Sequence, residues 1–407
     1  MKIKIRDYFT YEGKGILFLM LPLLSKWLLP PGIETKLYVN PLDLFNIYVP
    51  NILLLFVPIY FRVNKFNSSW LKPLFCFWML LELIVLCFSD TPNIFMNVFS
   101  NTFIFAALYL GLFHKFSQFQ IELIKPFCII GLLIIAIQII VFAMGLVNYD
   151  MGDLGSEFAG IYRVYTTAGE SNGSGDIVGL LMLFLLMILK DPRVKIAIVF
   201  ISTVAVFFTI SRSPIIMIVL SFMFFWLKYF RKKIKYNLLV SIIIVGLVLL
   251  DVFDPIIERN RNKSIDGDIT SGRDVLIEKV IENVRNENGQ LFGLGIGNVY
   301  QTTEVIYSKE KMPYPGAPHN SYVLLYAEQG LVGLLIFIVI IVAFLKRRYN
   351  SNKDGCTLFI ILLLSIYNTE TVISVNSDYV YISAIFMLLI NADKEYEILK
   401  PTNKRIK

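Results

Sequence analysis

Apolar residues in this chain come in long runs rather than in alternating or amphipathic patterns, and the runs recur from one end to the other. A helix needs about 20 apolar residues to cross roughly 30 Å of hydrocarbon. The pattern predicts twelve helical spans, over 15–30, 43–61, 71–89, 93–113, 124–147, 174–189, 194–211, 213–230, 237–253, 320–345, 356–375 and 378–391. The segment 174–189 opens with Ser174, Gly175 and Asp176, so its outer end is expected to be broken or partly wet. Between the ninth and tenth spans lies a stretch of 66 residues, 254–319, too long for a connector and expected to carry structure of its own. Its middle predicts a helix: Thr270-Ser271-Gly272-Arg273-Asp274 opens onto VLIEKVIENVRNENG, with a capping-box-like start at Ser271 and Asp274 and a C-cap at Gly289. Val275, Leu276, Val280, Ile281 and Val284 form one apolar stripe, predicted to lie on the membrane surface or on the outer ends of the spans. The expected architecture is an all-α polytopic membrane protein. Nine spans occupy 1–253, the large loop 254–319, three more spans 320–391, and a tail 392–407.

Charge orients this map. With the N-terminus in the cytoplasm, 26 of the 38 Lys and Arg fall on the cytoplasmic side, 4 in short stretches opposite, and 8 in the long loop. Long loops translocate regardless of charge, so the asymmetry predicts both termini inside and the large loop outside. It also explains the net charge of +7 through anionic lipid at the cytoplasmic face, leaving no call for nucleic acid. Composition agrees: 56% hydrophobic and only 17% charged is too poor in charge for a water-soluble surface. Cys76, Cys87 and Cys128 fall inside apolar runs and Cys356 at the cytoplasmic end of another, so the loop holds no disulfide framework, and no metal-ligand spacing occurs. The basic start and the apolar run from Gly15 mimic a signal peptide. Pro22, Lys26 and the lack of a small-residue cleavage site favour an uncleaved first helix.

Orientation collects the candidate chemistry on the outer face. Arg212 sits in SRSP (211–214), a sharp reversal between the seventh and eighth spans; Arg163 precedes Glu170-Ser171-Asn172 in the 148–173 loop. Arg273 stands in the first turn of the loop helix, beside free backbone N–H groups that favour a phosphate. Each arginine has a plainer reading as a solvated or snorkelling side chain. His319, one of two histidines, follows Pro318 at the start of the tenth span, where it is either a general base or an interfacial residue bonded to a carbonyl. His114 lies in a cytoplasmic loop. Glu328 lies nine residues beyond His319, about 13 Å deeper along the helix, where an ionisable group is usually paired or functional. Gly293, Gly295 and Gly297 lack the βαβ setting of a dinucleotide fingerprint and read as a tight turn or a close backbone approach. Asp266 and Asp268 form a D-x-D in a turn without a sheet domain, read as surface. Arginines for a diphosphate and a histidine for a hydroxyl make a coherent set that requires no metal or cofactor.

With those residues in place, the chain resembles the O-antigen polymerases and O-antigen ligases, bacterial membrane glycosyltransferases of the GT-C type. The topology resembles that family throughout, and the motif likeness is concentrated in about 160–335. Its carriers are SRSP, SGR (271–273), GLGIGN (293–298) and PHNSYVLLYAEQGLVGL (318–334), in which His319 and Asn320 open a helix that continues with Glu328-x-Gly330. The resemblance implies a large periplasmic loop beside a lipid-facing cleft in the inner membrane. Its implied donor and acceptor are undecaprenyl-diphosphate-linked glycans, with a chain-length regulator as a further partner. By resemblance, Arg212 and Arg273 contact the diphosphate and His319 activates the acceptor hydroxyl; Asn320 and Glu328 join the substrate side. Arg163 corresponds to a family arginine upstream of a Pro-Asn pair, which here reads Ser171-Asn172. The expected reaction is inverting transfer of the growing chain onto the next lipid-linked repeat unit, for O-antigen, capsule or exopolysaccharide. An O-antigen ligase acting on lipid A–core shares the chemistry. Polymerase is favoured because that class is larger and more divergent. A twelve-span flippase fits the topology but not the asymmetric loop or the charges gathered at one face.

Overall fold

The computed structural model describes residues 3–28, 57–63, 70–88, 94–144, 171–209, 211–229, 273–295, 299, 304–307, 312–315, 318–369 and 378–392. A 3₁₀ turn at Ile5–Phe9 leads into α1 (Tyr11–Leu28). There follow α2 (Leu71–Phe88), α3 (Ile94–Phe113), α4 (Gln118–Ala143), α5 (Ser171–Ile188), α6 (Pro192–Thr209) and α7 (Arg212–Tyr229). The large loop contributes α8 (Arg273–Asn286), and α9 (Ser321–Tyr349), α10 (Lys353–Thr369) and α11 (Asp378–Asn391) complete the bundle. Among the described residues, helices stand at ten of the twelve expected spans; 43–61 is described only from residue 57, and 237–253 lies outside. Within α4 and α9 lie stretches long and apolar enough to cross a membrane.

The bundle is apolar inside and out. Phe75 meets Trp78, Phe105 and Phe113 edge to face in its core, while Leu80, Leu83 and Ile84 of α2, Ile130 and Ile137 of α4, and Leu335 and Val342 of α9 face outward. A surface of that kind in water would aggregate, and lipid is the solvent that suits it. Where helices approach closest, small residues allow it. A Cβ on Gly175 would lie 2.8 Å from Thr209 Oγ1 and 2.9 Å from Pro214 Cγ, and one on Gly179 would lie 2.6 Å from Met217 Cε. This Gly-x-x-x-Gly face seats α5 against the α6–α7 reversal. The expectation of a broken, wet start to this span is corrected: α5 is continuous from Ser171, and Ser174 and Asp176 are fully buried.

Two short antiparallel ladders accompany the helices. β1 (Arg62–Val63) pairs antiparallel with β2 (His114–Lys115), and β3 (Glu304–Tyr307) pairs antiparallel with β4 (Met312–Pro315) inside the large loop. Glu-Val-Ile-Tyr is a strand-favouring run, and prolines without an N–H suit a two-stranded edge.

α8 forms where the sequence placed it, but its cap differs. Asn288 takes the left-handed conformation (φ 57°), its N–H donates to Arg285 O (3.2 Å), and Gly289 N–H donates to Val284 O (2.8 Å). That is a Schellman motif with asparagine rather than Gly289 at the left-handed position. Ser271 lies outside the described residues. Leu276, Val280 and Val284 of the predicted stripe are fully buried. Val280 and Val284 pack with Val299 and with Leu324 and Ala327 of α9, so the stripe docks on a span rather than on the membrane surface.

α9 is broken at Gly330, where φ is 67° and ψ −172°. Two helical bonds are lost there, and the turn after α8 replaces them with four. Leu331 N–H donates to Gln290 O (2.9 Å) and Val332 N–H to Leu291 O (3.1 Å), while Ala327 O accepts from Leu294 (2.8 Å) and Glu328 O from Gly295 (3.0 Å). The backbones nearly touch. A Cβ on Gly330 would sit 2.2 Å from Leu291 O, and one on Gly293, itself at φ 78°, 2.2 Å from Glu328 O. The GLG run is therefore a close backbone approach, with Gly297 outside the described residues.

Replacing Gly330 with alanine forces both a positive φ and a backbone clash, and is expected to destabilise the protein by at least about 2 kcal/mol. Thermal unfolding of the detergent-purified variant measures it; a wild-type melting curve would refute the interlock.

Candidate functional site

Three of the residues singled out by sequence lie on the N-terminal half of α9, 321–329, or immediately before it. His319 is half-buried and holds the left-handed conformation at φ 46°, one residue before the helix cap. Histidine tolerates this region better than most residues, and a non-glycine there is a local strain that the surrounding structure must hold. Buried Pro318 lies on one side and the cap on the other. The chain thus turns sharply at the imidazole instead of running smoothly into the helix.

Asn320 is that cap. Its Oδ1 accepts from Tyr322 N (3.0 Å) and Val323 N (3.1 Å), and its Nδ2 donates to Asn368 O at the end of α10 (3.4 Å). Both ends of the amide are used within the fold, so the structure gives Asn320 the work of positioning its neighbour. Tyr322 adds a second tie to α10, its hydroxyl donating to Leu363 O at 3.2 Å.

Glu328 is buried inside the bundle, at the last turn before the break. Its backbone carbonyl belongs to the interlock, and Glu82 of α2 is buried in the same bundle. One turn away on α2, Trp78 Nε1 donates to Gln329 Oε1 at 2.8 Å, also buried. Both Glu82 oxygens lack a hydrogen-bond partner among the described residues. Sequence reasoning missed Glu82, Trp78 and Gln329. The available signal was Glu82 itself, a lone carboxylate in the apolar run 71–89.

Arg212 is the first residue of α7 and Arg273 the first of α8. Both stand at helix N-termini, where the positive end of the helix dipole and the free amides favour an anion. α8 packs on the N-terminal half of α9 through Val280, Val284, Leu324 and Ala327, so the helix bearing Arg273 and the helix following His319 form one unit. At the α7 end, Ser211 and Ser213 are buried beside Arg212. Arg163, Asp266 and Asp268 lie outside the described residues. Among the described residues no group of three or more His, Cys, Asp or Glu is arranged to hold a metal ion.

The second histidine stands in a different setting. His114 is buried, its Nδ1 is 3.4 Å from Phe61 O, and burial pushes its pKa below the ordinary imidazole value, an effect to which Lys72 adds. It stands on β2 opposite Val63 of β1, at the lysine- and arginine-rich end of the bundle.

Residues 197–338 match the family described as O-antigen ligase. The matched stretch contains Arg212, Arg273, His319, Asn320 and Glu328 and ends before the C-terminal part of α9; Arg163 lies outside it. No curated protein matches the chain.

If Asn320 acts as the cap, Asn320→Asp or Asn320→Ser is expected to keep stability and activity close to wild type, whereas Asn320→Ala loses about 1 kcal/mol. Equal loss of activity in all three variants, with stability intact, would instead assign the amide to substrate.

Proposed function

We propose, from the match of residues 197–338 to the family described as O-antigen ligase and from the residues that match contains, that this chain is a bacterial membrane glycosyltransferase that polymerises lipid-linked oligosaccharide repeat units. The donor in this reading is a glycan carried on undecaprenyl diphosphate, and the acceptor is a hydroxyl on the next lipid-linked unit. The observation that carries the reading is the α8–α9 unit. One packed assembly bears an arginine at a helix N-terminus and a histidine held in a strained turn, inside the matched domain.

The chemistry follows from the residue types. His319 takes the proton of the acceptor hydroxyl as its oxygen attacks the anomeric carbon. The bond from that carbon to the diphosphate oxygen breaks, and undecaprenyl diphosphate leaves with the electron pair. Attack from the face opposite the leaving group inverts the configuration. Arg212 and Arg273 compensate the charge that grows on the diphosphate, which suits their rigid forks of N–H donors. Glu328, beneath the break, contributes through the position of the half-helix that follows His319.

A second reading is favoured by the description of the matched family itself: ligation of finished polymer to lipid A–core, with the same donor and the same residues. The two differ only in acceptor. Gel analysis of surface polysaccharide from a deletion strain separates them. A single repeat unit on lipid A–core identifies a polymerase; bare core with accumulating lipid-linked polymer identifies a ligase.

His319→Ala is expected to abolish polymer while the protein still inserts. Arg212→Lys and Arg273→Lys are expected to fall by roughly 100-fold, the scale of removing one oriented donor from developing charge. Normal ladders from the His319 variant would overturn the base assignment. Because arginines carry the leaving-group charge in this reading, chelator is expected to leave the purified enzyme's rate unchanged, and strong inhibition would return attention to Asp266 and Asp268.

A further inference from the structure

The outward-facing surface of α9 stops where the helix breaks. After Gly330, the side chains of Leu331, Leu335, Ile338, Val339 and Val342 stand exposed along one apolar face. Before it, every residue from Ser321 to Gly330 is buried or half-buried, with α8 packed on this half-helix and α2 and α10 bonded to it. The apolar run after the break, Leu331–Leu345, ends at Lys346, Arg347 and Arg348, a basic cluster that marks where α9 leaves the hydrocarbon. Those 15 residues at about 1.5 Å each span about 22 Å, some 8 Å short of a hydrocarbon core of roughly 30 Å. Any tilt of the helix widens the shortfall. The hydrocarbon therefore extends past the break, to the level of the turn 290–295.

That turn carries what hydrocarbon requires. Leu291 is 57% exposed and Phe292 52%, and they stand beside the last exposed residue of the α9 face. Gln290 O accepts from Leu331 and Leu291 O from Val332, so the two apolar surfaces are continuous through hydrogen-bonded backbone. Within the turn, Gly293 N–H donates to Gly289 O (2.7 Å), and Leu294 and Gly295 donate to the carbonyls of Ala327 and Glu328. Irregular backbone survives at membrane depth only where its polar groups are bonded within the protein. An aqueous loop needs no such closure and gains nothing from two large apolar groups held in the open. Arg285, Asn286, Glu287 and Asn288, all exposed, immediately precede the turn. Polar side chains followed by a dipping apolar pair match the step from headgroup to acyl chain.

We propose that the turn 290–295 enters the hydrocarbon of the leaflet remote from Lys346, where Leu291 and Phe292 contact lipid acyl chains and complete the belt that α9 leaves short. The large loop is thereby anchored in the membrane beside the half-helix that follows His319. This rests on the reading of the chain as a membrane-spanning bundle and not on the glycosyl-transfer reading.

Spin-label accessibility in phospholipid vesicles tests it. Nitroxides are placed at Leu291→Cys, Phe292→Cys, Asn286→Cys and Leu335→Cys in the full-length protein freed of its four native cysteines. At 291 and 292, collisions with oxygen are expected to exceed those with a water-soluble nickel complex severalfold, as at 335, and the ratio is expected to reverse at 286. Labels at 291 and 292 reached by nickel as readily as 286, or shielded from both reagents, would overturn the anchor. An aqueous signal at 335 would instead overturn the membrane-spanning reading itself. Should removal of the cysteines prevent folding, a photoreactive benzoylphenylalanine at Phe292 in the native-cysteine protein provides a second arm. Irradiation is expected to add the mass of a phospholipid; no adduct at 292, where the same group at Leu335 gives one, would overturn the contact.

Discussion

The exchange of hydrogen bonds at Gly330 is the constraint on which the rest of this structure depends. Inside a lipid-facing bundle there is no water to satisfy a broken helix, so a kink in α9 has to find its partners within the protein. The turn 290–295 supplies them, giving two acceptors and two donors to the four groups set free. Neither the break nor the turn is stable without the other. Two glycines at positive φ are required because the two backbones meet at distances no side chain allows.

Several features that look separate follow from that exchange. The turn 290–295 is the continuation of α8, so the interlock fixes α8 against the half-helix 321–329 and buries Val280 and Val284 on Leu324 and Ala327. The half-helix, freed from the axis of the rest of α9, is held from three directions. Asn320 and Tyr322 tie it to α10, Trp78 ties Gln329 to α2, and α8 covers its remaining face. His319 then sits at a turn whose backbone cost is met by neighbours with little freedom to relax. The C-terminal half of α9 continues to the basic end, where Arg348 bonds Asn391 (2.6 Å) and Asn391 in turn bonds the Gly111 and His114 carbonyls (both 2.9 Å).

Much of the helical layout was legible before any coordinates, because a membrane demands length and apolarity and both are written in local composition. The loop helix was legible for the same local reason, with its buried stripe at helical spacing. The misses have a common cause. The capping position shifted from Gly289 to Asn288 because the turn had to aim its next residues into α9. The open start expected of α5 proved buried because Gly175 and Gly179 admitted a neighbouring helix turn. The β3–β4 ladder was passed over because its strands are only four residues long and, among the described residues, pair only with each other.

By itself, the sequence determined the helical spans, the uneven distribution of charge between their two ends, and the short list of Arg212, Arg273, His319 and Glu328, since each depends on what a residue and its near neighbours are. It could read Gly293 as a tight turn or close backbone approach without showing that Gly330, 37 positions on, is what it approaches. Only the tertiary structure decided that, together with the capping work of Asn320, the tie between Trp78 and Gln329, and the seating of α8 on α9. The first rests on backbone groups meeting at hydrogen-bond distance, the others on side chains brought together from distant parts of the chain. Peptide groups are chemically alike at every residue, so no side-chain pattern records which of them meet.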